Sequence, residues 1–290
     1  RVLFRSFHAP GVTGAFGGAV IASRLLKLTP QQMTMALGIA GSLGSGLLEF
    51  SKSGGGDVKR LHLGHAAESG VLAATLAKNG FTGPASVLEG KFGYMNVFCH
   101  EGDPARLTAT LGEAWKLLTL TIKRYSCHIT SHVPVTAALE LKEKHKIAGD
   151  DVASITIEGS EKMHSHHNIL EPNDMTMAQY STPFNVALSF YRNPRDPNSF
   201  NEDARNDAKI RALCRNVKVM VRKDPVKNNP LASRVTVKMK DGKEYTLDLP
   251  HFPGMPQSPL NNDQLREKLD RKSTRLNSSH SQQSRMPSSA

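Results

Sequence analysis

Basic and imidazole side chains gather at three points of this chain where one structural element should give way to the next. In VKRLHLGH, residues 58–65, Lys59, Arg60, His62 and His65 lead into small apolar residues at helical spacing that run from Ala66 to Ala77. In IKRYSCHITSH, residues 122–132, Lys123, Arg124, His128 and His132 stand where a strand-like pattern turns helical. In FHAPGVTGAFGG, His8 stands just ahead of a Gly-rich helical run. A helix N-terminus already carries positive partial charge and unpaired N–H groups. Crowding Lys and His there is unfavourable unless an anion binds. A charged run is ordinarily a solvated face and a lone histidine ordinarily structural. The helix after His65, however, is apolar nearly all round, so its start is expected to be covered. Three such junctions, with little acid beside them, point to a pocket for a small molecule bearing several carboxylates. Imidazole would move protons there, since it titrates near neutrality, and lysine would stabilise developing carboxylate charge.

Other candidate groups read as structural. Gly41, Gly44 and Gly46 do not have the order of a dinucleotide loop and fall within a helical pattern, which points to close helix packing. His164, His166 and His167 lack the spacing of a zinc site and read as a solvated loop after a strand, with a loop over an active site as the alternative. Cys99, Cys127 and Cys214 are odd in number and far apart, so neither a disulfide framework nor a cysteine metal site is expected, and a reducing compartment is the default.

The elements that must position the basic junctions divide into two textures. Residues 12–28 read as a helix with a Gly/Ala face. Thr29 and Pro30 are a cap and a first-turn proline for the next helix, with Met33, Leu37, Ala40 and Leu43 on its apolar face. Residues 51–57 read as a mobile loop, 64–78 as an Ala-rich helix stopped at Asn79-Gly80, and 106–119 as a further helix. From Leu120 the pattern changes: TLTIKRYSCHI has strand character and 132–144 is helical. VASITIEGS (152–160) alternates like a strand, 175–191 and 203–213 are helical, and 216–222 is a strand. Residues 234–249 form a hairpin turning at Asp241-Gly242, and 261–269 a last helix. The division expected is a helical domain over 7–119, an α+β domain over 120–250, and a segment over 251–269 that returns to the helical domain.

The formal charge of +11 would suggest a polyanionic partner. The ends distort it. VLFRS near the start and DRKSTRLNSSH and SRMPSSA near the end look like translated sequencing adapters, so 1–6 and 270–290 are set aside as non-native. Without the net +3 of residues 270–290 and the +2 of Arg1 and Arg5, +6 remains, with no basic block of five. Neither nucleic acid nor a membrane is an expected partner, and no apolar run approaches the roughly 18 residues of a membrane span. Open ends also imply an internal piece of a longer protein.

Six stretches, in order over residues 7–269, resemble the MmgE/PrpD family. They are FHAPGVTGAFGGAVIASRLLKLTPQQ, ALGIAGSLGSGLLEF, VKRLHLGHAAESGVLAATLAKNGFTGPASVLEGKFGY, IKRYSCHITSHVPVTAALEL, MAQYSTPFNVALSF and FPGMPQSPLNNDQLREKL. The resemblance implies an all-α helical domain plus an α+β lid domain, a homodimer, and a cytoplasmic enzyme that uses no metal or other cofactor. It puts the family's catalytic histidine on His8, its K-x-x-H-x-G lysine on Lys59 and its lid lysine on Lys123. His62 belongs to the same motif as Lys59, and with Arg60, Arg124 and His128 it is expected to bind substrate. The aspartate and histidine of the family's earlier helical region have no counterpart here. Phe184 stands where several members carry an aromatic hydroxyl, with Tyr180 nearby. The activity implied is that of a hydro-lyase dehydrating a di- or tricarboxylate such as 2-methylcitrate, as in propionate metabolism. A base takes the proton alpha to a carboxylate, and Lys59 and Lys123 stabilise the aci-carboxylate while His8 handles the proton. Decarboxylation or epimerisation of a related substrate, cis-aconitate or iminodisuccinate, is the alternative. A non-catalytic anion-binding helical protein is a third reading.

Overall fold

Alanine and glycine set the spacing of the first helices. The computed structural model describes residues 7–99 and 101–270; the stretches expected to be adapter-derived, 1–6 and all but Asp270 of 270–290, lie outside the described residues. The chain divides into two units, one up to Trp115 and one from Lys116. The first carries α1 (Ala9–Leu25), α2 (Pro30–Leu43), the single turn α3 (Phe50–Ser53), α4 (Val58–Lys78) and α5 (Tyr94–Phe98). Thr29 and Gln32 cap α2 reciprocally, each side chain accepting from the other's backbone N–H. Ala15, Ala19 and Ala22 of α1, Ala36 and Ala40 of α2, and Ala73, Ala74 and Ala77 of α4 form the core. Where α1 crosses α4 no side chain fits: a Cβ on Gly70 would stand 2.5 Å from the Gly18 Cα.

Several expectations for this unit are corrected. α4 starts at Val58, not at 64, so Lys59 to His65 lie in its first two turns. Residues 51–57 are not simply a loop, because buried Phe50 anchors the turn α3 before the left-handed Gly54 and Gly55. α2 ends at Leu43, so Gly44 and Gly46 lie beyond it in an extended segment, although Gly44 still packs against Val12. Residues 106–119 do not form a helix. Only 3-10 turns appear, at Pro104–Leu107 and Lys116–Thr119, and every residue from 101 to 120 is exposed. Without a face to bury, a short helix has nothing to offset its nucleation cost.

The second unit is built on four strands, β1 (Val152–Gly159), β2 (Val217–Val221), β3 (Ser233–Met239) and β4 (Glu244–Leu249), in the order β2-β1-β3-β4. β1 pairs parallel with β2 and antiparallel with β3, and β3 turns into β4 at Asp241-Gly242. The helices are α6 (His132–His145), α7 (Glu161–His167), α8 (Met175–Tyr180), α9 (Thr182–Tyr191), α10 (Glu202–Asn206) and α11 (Ala208–Arg215), followed by a helical stretch at 262–270. Ile155 and Ile157 of β1 and Val235 and Val237 of β3 are fully buried in one core with Val135 of α6, Leu188 of α9 and Ile210 of α11.

Here too the structure departs from expectation. The helix expected over 175–191 breaks at Ser181, whose hydroxyl accepts from Phe184 N–H and restarts the chain as α9. That over 203–213 breaks at Asp207, which caps α11 in the same way. The strand expected over TLTIKRYSCHI is absent, because its backbone finds only isolated distant partners, Ile122 N–H on the Gly254 carbonyl and His128 N–H on the Gln179 carbonyl, each at 2.8 Å, and no ladder. His164, His166 and His167 are not in a loop but on α7, capped by Ser160.

Candidate functional site

Each unit holds its own cluster. In the first, the His8 N–H donates to the Gly46 carbonyl at 2.9 Å, and Phe7 bridges Leu47, so the segment after α2 lies against the entry of α1. Gly11 and Gly46 make this approach possible: a Cβ on either would run into Ser45 or the His62 ring. His62, from the second turn of α4, thereby meets His8, with Nδ1 to Nδ1 at 3.2 Å. Phe50 presents an edge to both rings, at centroid distances of 5.7 and 5.8 Å. A hollow of about 500 Å³ opens beside them, walled by Gly46, Glu49, Phe50, His62 and His65.

Two Nδ1 atoms at that distance share one proton. The neutral pair therefore has one Nε2 bearing hydrogen and one with a free lone pair, an acid and a base side by side. Burial, then the neighbouring His62 and Lys59, push the His8 pKa below that of an ordinary imidazole, so at a given pH it carries less charge than a free histidine. Neither α1 nor α4 has an acidic residue in its first turn. Arg60 spends its charge on Asp57 at 3.0 Å on the exposed side, and His65 stands 3.8 Å from Glu68. The structure thus joins His8, His62 and Lys59, and turns Arg60 to another partner.

In the second unit the Lys123 ammonium donates to the Cys127 carbonyl at 3.4 Å. Arg124 is largely buried, with Glu267 at 3.9 Å; burial and then Arg195 push its pKa down. His128 begins the short turn Ile129–Ser131, and its Nδ1 accepts from the Thr130 backbone N–H and faces the Thr130 hydroxyl at 2.9 Å. Its ring stacks on His167 at 4.1 Å and lies 4.7 Å from Tyr180. His132, grouped by sequence with the cations, is instead a structural residue. It is fully buried, its Nε2 accepts from Tyr125 N–H at 3.3 Å, and its Nδ1 faces the His128 carbonyl at 3.1 Å. Desolvation drives its pKa to about 3, so it is neutral. Phe184 is fully buried in the core, and Tyr180 is the phenol near His128, its pKa raised by burial. His167 was not singled out as a partner of His128. The signal available was the Ser160 cap, which makes EKMHSHH a helix and puts His164 and His167 on one face. Among the described residues no group of three His, Cys, Asp or Glu side chains is arranged to hold a metal ion.

A helical unit followed by a helix-backed four-stranded unit, each with a cluster of imidazole and cationic side chains, defines a helix-rich two-part protein. Its first part matches the MmgE/PrpD N-terminal domain over residues 2–107 and its second the MmgE/PrpD C-terminal domain over residues 125–286, and the chain belongs to this family. It is similar to a cis-aconitate decarboxylase of Aspergillus terreus, 36% identical over 151 residues, which is 50% of this chain and 30% of that protein. It is also similar to the cis-aconitate decarboxylases of Homo sapiens, 27% identical over 274 residues, and of Mus musculus, 25% identical over 274 residues. Those matches cover 91% of this chain and 56% and 55% of the relatives, so the chain spans about half their length.

Proposed function

We propose that the protein is a lyase acting on a small tricarboxylate, with decarboxylation of cis-aconitate or a close analogue as its reaction. The sequence-based expectation put dehydration of 2-methylcitrate first. The similarity to decarboxylases moves that order, and nothing observed favours 2-methylcitrate. The observation that carries the proposal is the His8–His62 pair with Lys59 acting on it electrostatically, at a helix whose first turn holds no acidic residue.

Decarboxylation of cis-aconitate takes up one proton at the vinylic CH and releases carbon dioxide from the CH2-carboxylate, so the double bond moves to the methylene carbon. The chemistry needs a proton donor at the first carbon and cations on the carboxylates that stay. The Nε2–H of the His8–His62 pair is the donor in this reading, and the proton-free Nε2 takes a replacement from water. General acid catalysis of this kind is typically worth about 100- to 10,000-fold. Lys59 and Lys123 neutralise the retained carboxylates, with Arg124 and His128 as further contacts. Arg60, paired to Asp57, is left out. The homodimer expected from the family resemblance is part of this reading.

The test uses the protein encoded by the complete gene, incubated separately with cis-aconitate, 2-methylcitrate and iminodisuccinate, with carbon dioxide release and the product's C=C absorbance as readouts. Carbon dioxide from cis-aconitate alone is the expected result. Turnover of 2-methylcitrate without it would replace the decarboxylase by a dehydratase, and silence on all three would favour a binding protein.

A further inference from the structure

His128 and His167 are 39 residues apart in sequence, yet they hang from consecutive carbonyls at the end of α8. The His128 backbone N–H donates to the Gln179 carbonyl at 2.8 Å. The His167 Nδ1 stands 3.1 Å from the Tyr180 carbonyl, and since a carbonyl only accepts, Nδ1 carries hydrogen there. The two rings are nearly parallel, 24° apart at a centroid separation of 4.1 Å, and His167 is 2% exposed. The corner beneath them is tied down: Asn185 Nδ2 donates to the Gln179 carbonyl at 3.1 Å and to Ser131 Oγ at 3.2 Å, and Ser131 Oγ meets Thr182 Oγ1 at 3.0 Å. Asn185, Ser131 and Thr182 are all buried. Such a network resists rotation of the parts it joins.

The consequence falls on the His128 ring. A backbone N–H can only donate, so the Thr130 N–H on Nδ1 requires a lone pair there. In the neutral ring the hydrogen is then on Nε2. One edge of the ring is fixed by Thr130, one face by His167, and Tyr180 packs beside it. We infer that His167 is a positioning residue for His128: stacked on the ring, it holds His128 in the orientation and tautomer that keep hydrogen on Nε2. The use of that N–H, donation to a substrate carboxylate, rests on the proposed function. The clamp itself does not.

The experiment is long-range 1H–15N correlation of the imidazoles in the histidine-labelled chain at about pH 8, where histidines of ordinary pKa are neutral. His128→Gln assigns the His128 signals. The wild-type protein should show His128 as a single Nε2–H tautomer, with Overhauser contacts between the His128 and His167 ring protons. In His167→Gln, which loses the stack, the His128 nitrogens should move to averaged positions. In His167→Phe, which keeps it, they should stay. His132, locked with hydrogen on Nδ1, reports in each spectrum that the unit is folded. A His128 pattern unchanged in His167→Gln, or lost in His167→Phe while the His132 pattern persists, overturns the inference. Should His167→Gln lose the His132 pattern as well, the wild type decides, because an averaged His128 or missing ring contacts overturn the clamp on their own. Adding cis-aconitate separates the two readings: a His128 Nε2 that does not move counts against the proposed function and leaves the clamp standing.

Discussion

At the scale of single residues, the proton shared by His8 and His62 is governed by its surroundings. Lys59 contributes to holding the His8 pKa down, after burial and His62. Replacing Lys59 by Met should therefore raise the His8 pKa toward its ordinary value, as an NMR titration of the ring protons would record. In the complete gene product the same change should cut turnover by about 100-fold or more, since electrostatic stabilisation at one point commonly contributes that much. The melting temperature should hardly move. Undiminished turnover would remove Lys59 from the chemistry. For His8→Gln the expected result is loss of the chemical step with tricarboxylate binding retained. Calorimetry showing lost binding together with normal single-turnover chemistry would give His8 a different role.

At the scale of elements, the crossing of α1 and α4 depends on one glycine contact. An alanine at 70 would bring its Cβ within 2.5 Å of backbone atoms of Gly18 and Ala19. Gly70→Ala should cost about 1–3 kcal/mol by overpacking. Gly64→Ala, on the same helix with no atom within 4 Å of its Cβ, should gain about 0.5–1 kcal/mol. Denaturant midpoints of the two variants should move in opposite directions. The entry of α6 sets a pH response. His132 has a folded pKa of about 3 against an unfolded value of 6.5, so as pH falls the unfolded chain binds the proton first. Stability should be intact above about pH 6.5 and decline from there toward pH 3. Urea midpoints measured across that window should fall in the wild type and fall less steeply in His132→Phe, which is weaker at neutral pH because it loses two hydrogen bonds. Parallel slopes for the two proteins would show that another group carries the acid sensitivity.

At the scale of the molecule, much apolar surface on the first unit is bare. Val20, Ile21 and Leu25 of α1 and Leu61, Leu63, Val71 and Leu72 of α4 are exposed. The expectation that the start of α4 is covered fails within this chain, since α4 buries only Ala66, Ser69, Gly70, Ala73, Ala74 and Ala77. Exposed apolar surface on that scale drives association. The chain by itself should sediment as a mixture of oligomers at micromolar concentration, and Leu25→Lys with Leu72→Lys should shift it toward the monomer. A monodisperse wild-type monomer would contradict this. No helix among the described residues is long and apolar enough to cross a membrane.

What the sequence determined by itself was local. Thr29-Pro30 starts a helix, Asp241-Gly242 turns a hairpin and VASITIEG alternates as a strand because caps, turn residues and pleats act over a few residues. The Ser181 and Asp207 caps were equally local signals, and the helical periodicity running through them hid the breaks. The basic junctions, too, were visible as composition. Only the tertiary structure decided what those side chains are. It separated neutral, buried His132 from His128 four residues earlier, and brought His8 to His62 across 54 residues and His128 to His167. It also left 106–119 without a helix and 120–129 without a strand, for want of a face or a neighbour to bury against. A protonation state, a tautomer and a partner depend on distance and desolvation in space, and a pattern along the chain encodes neither.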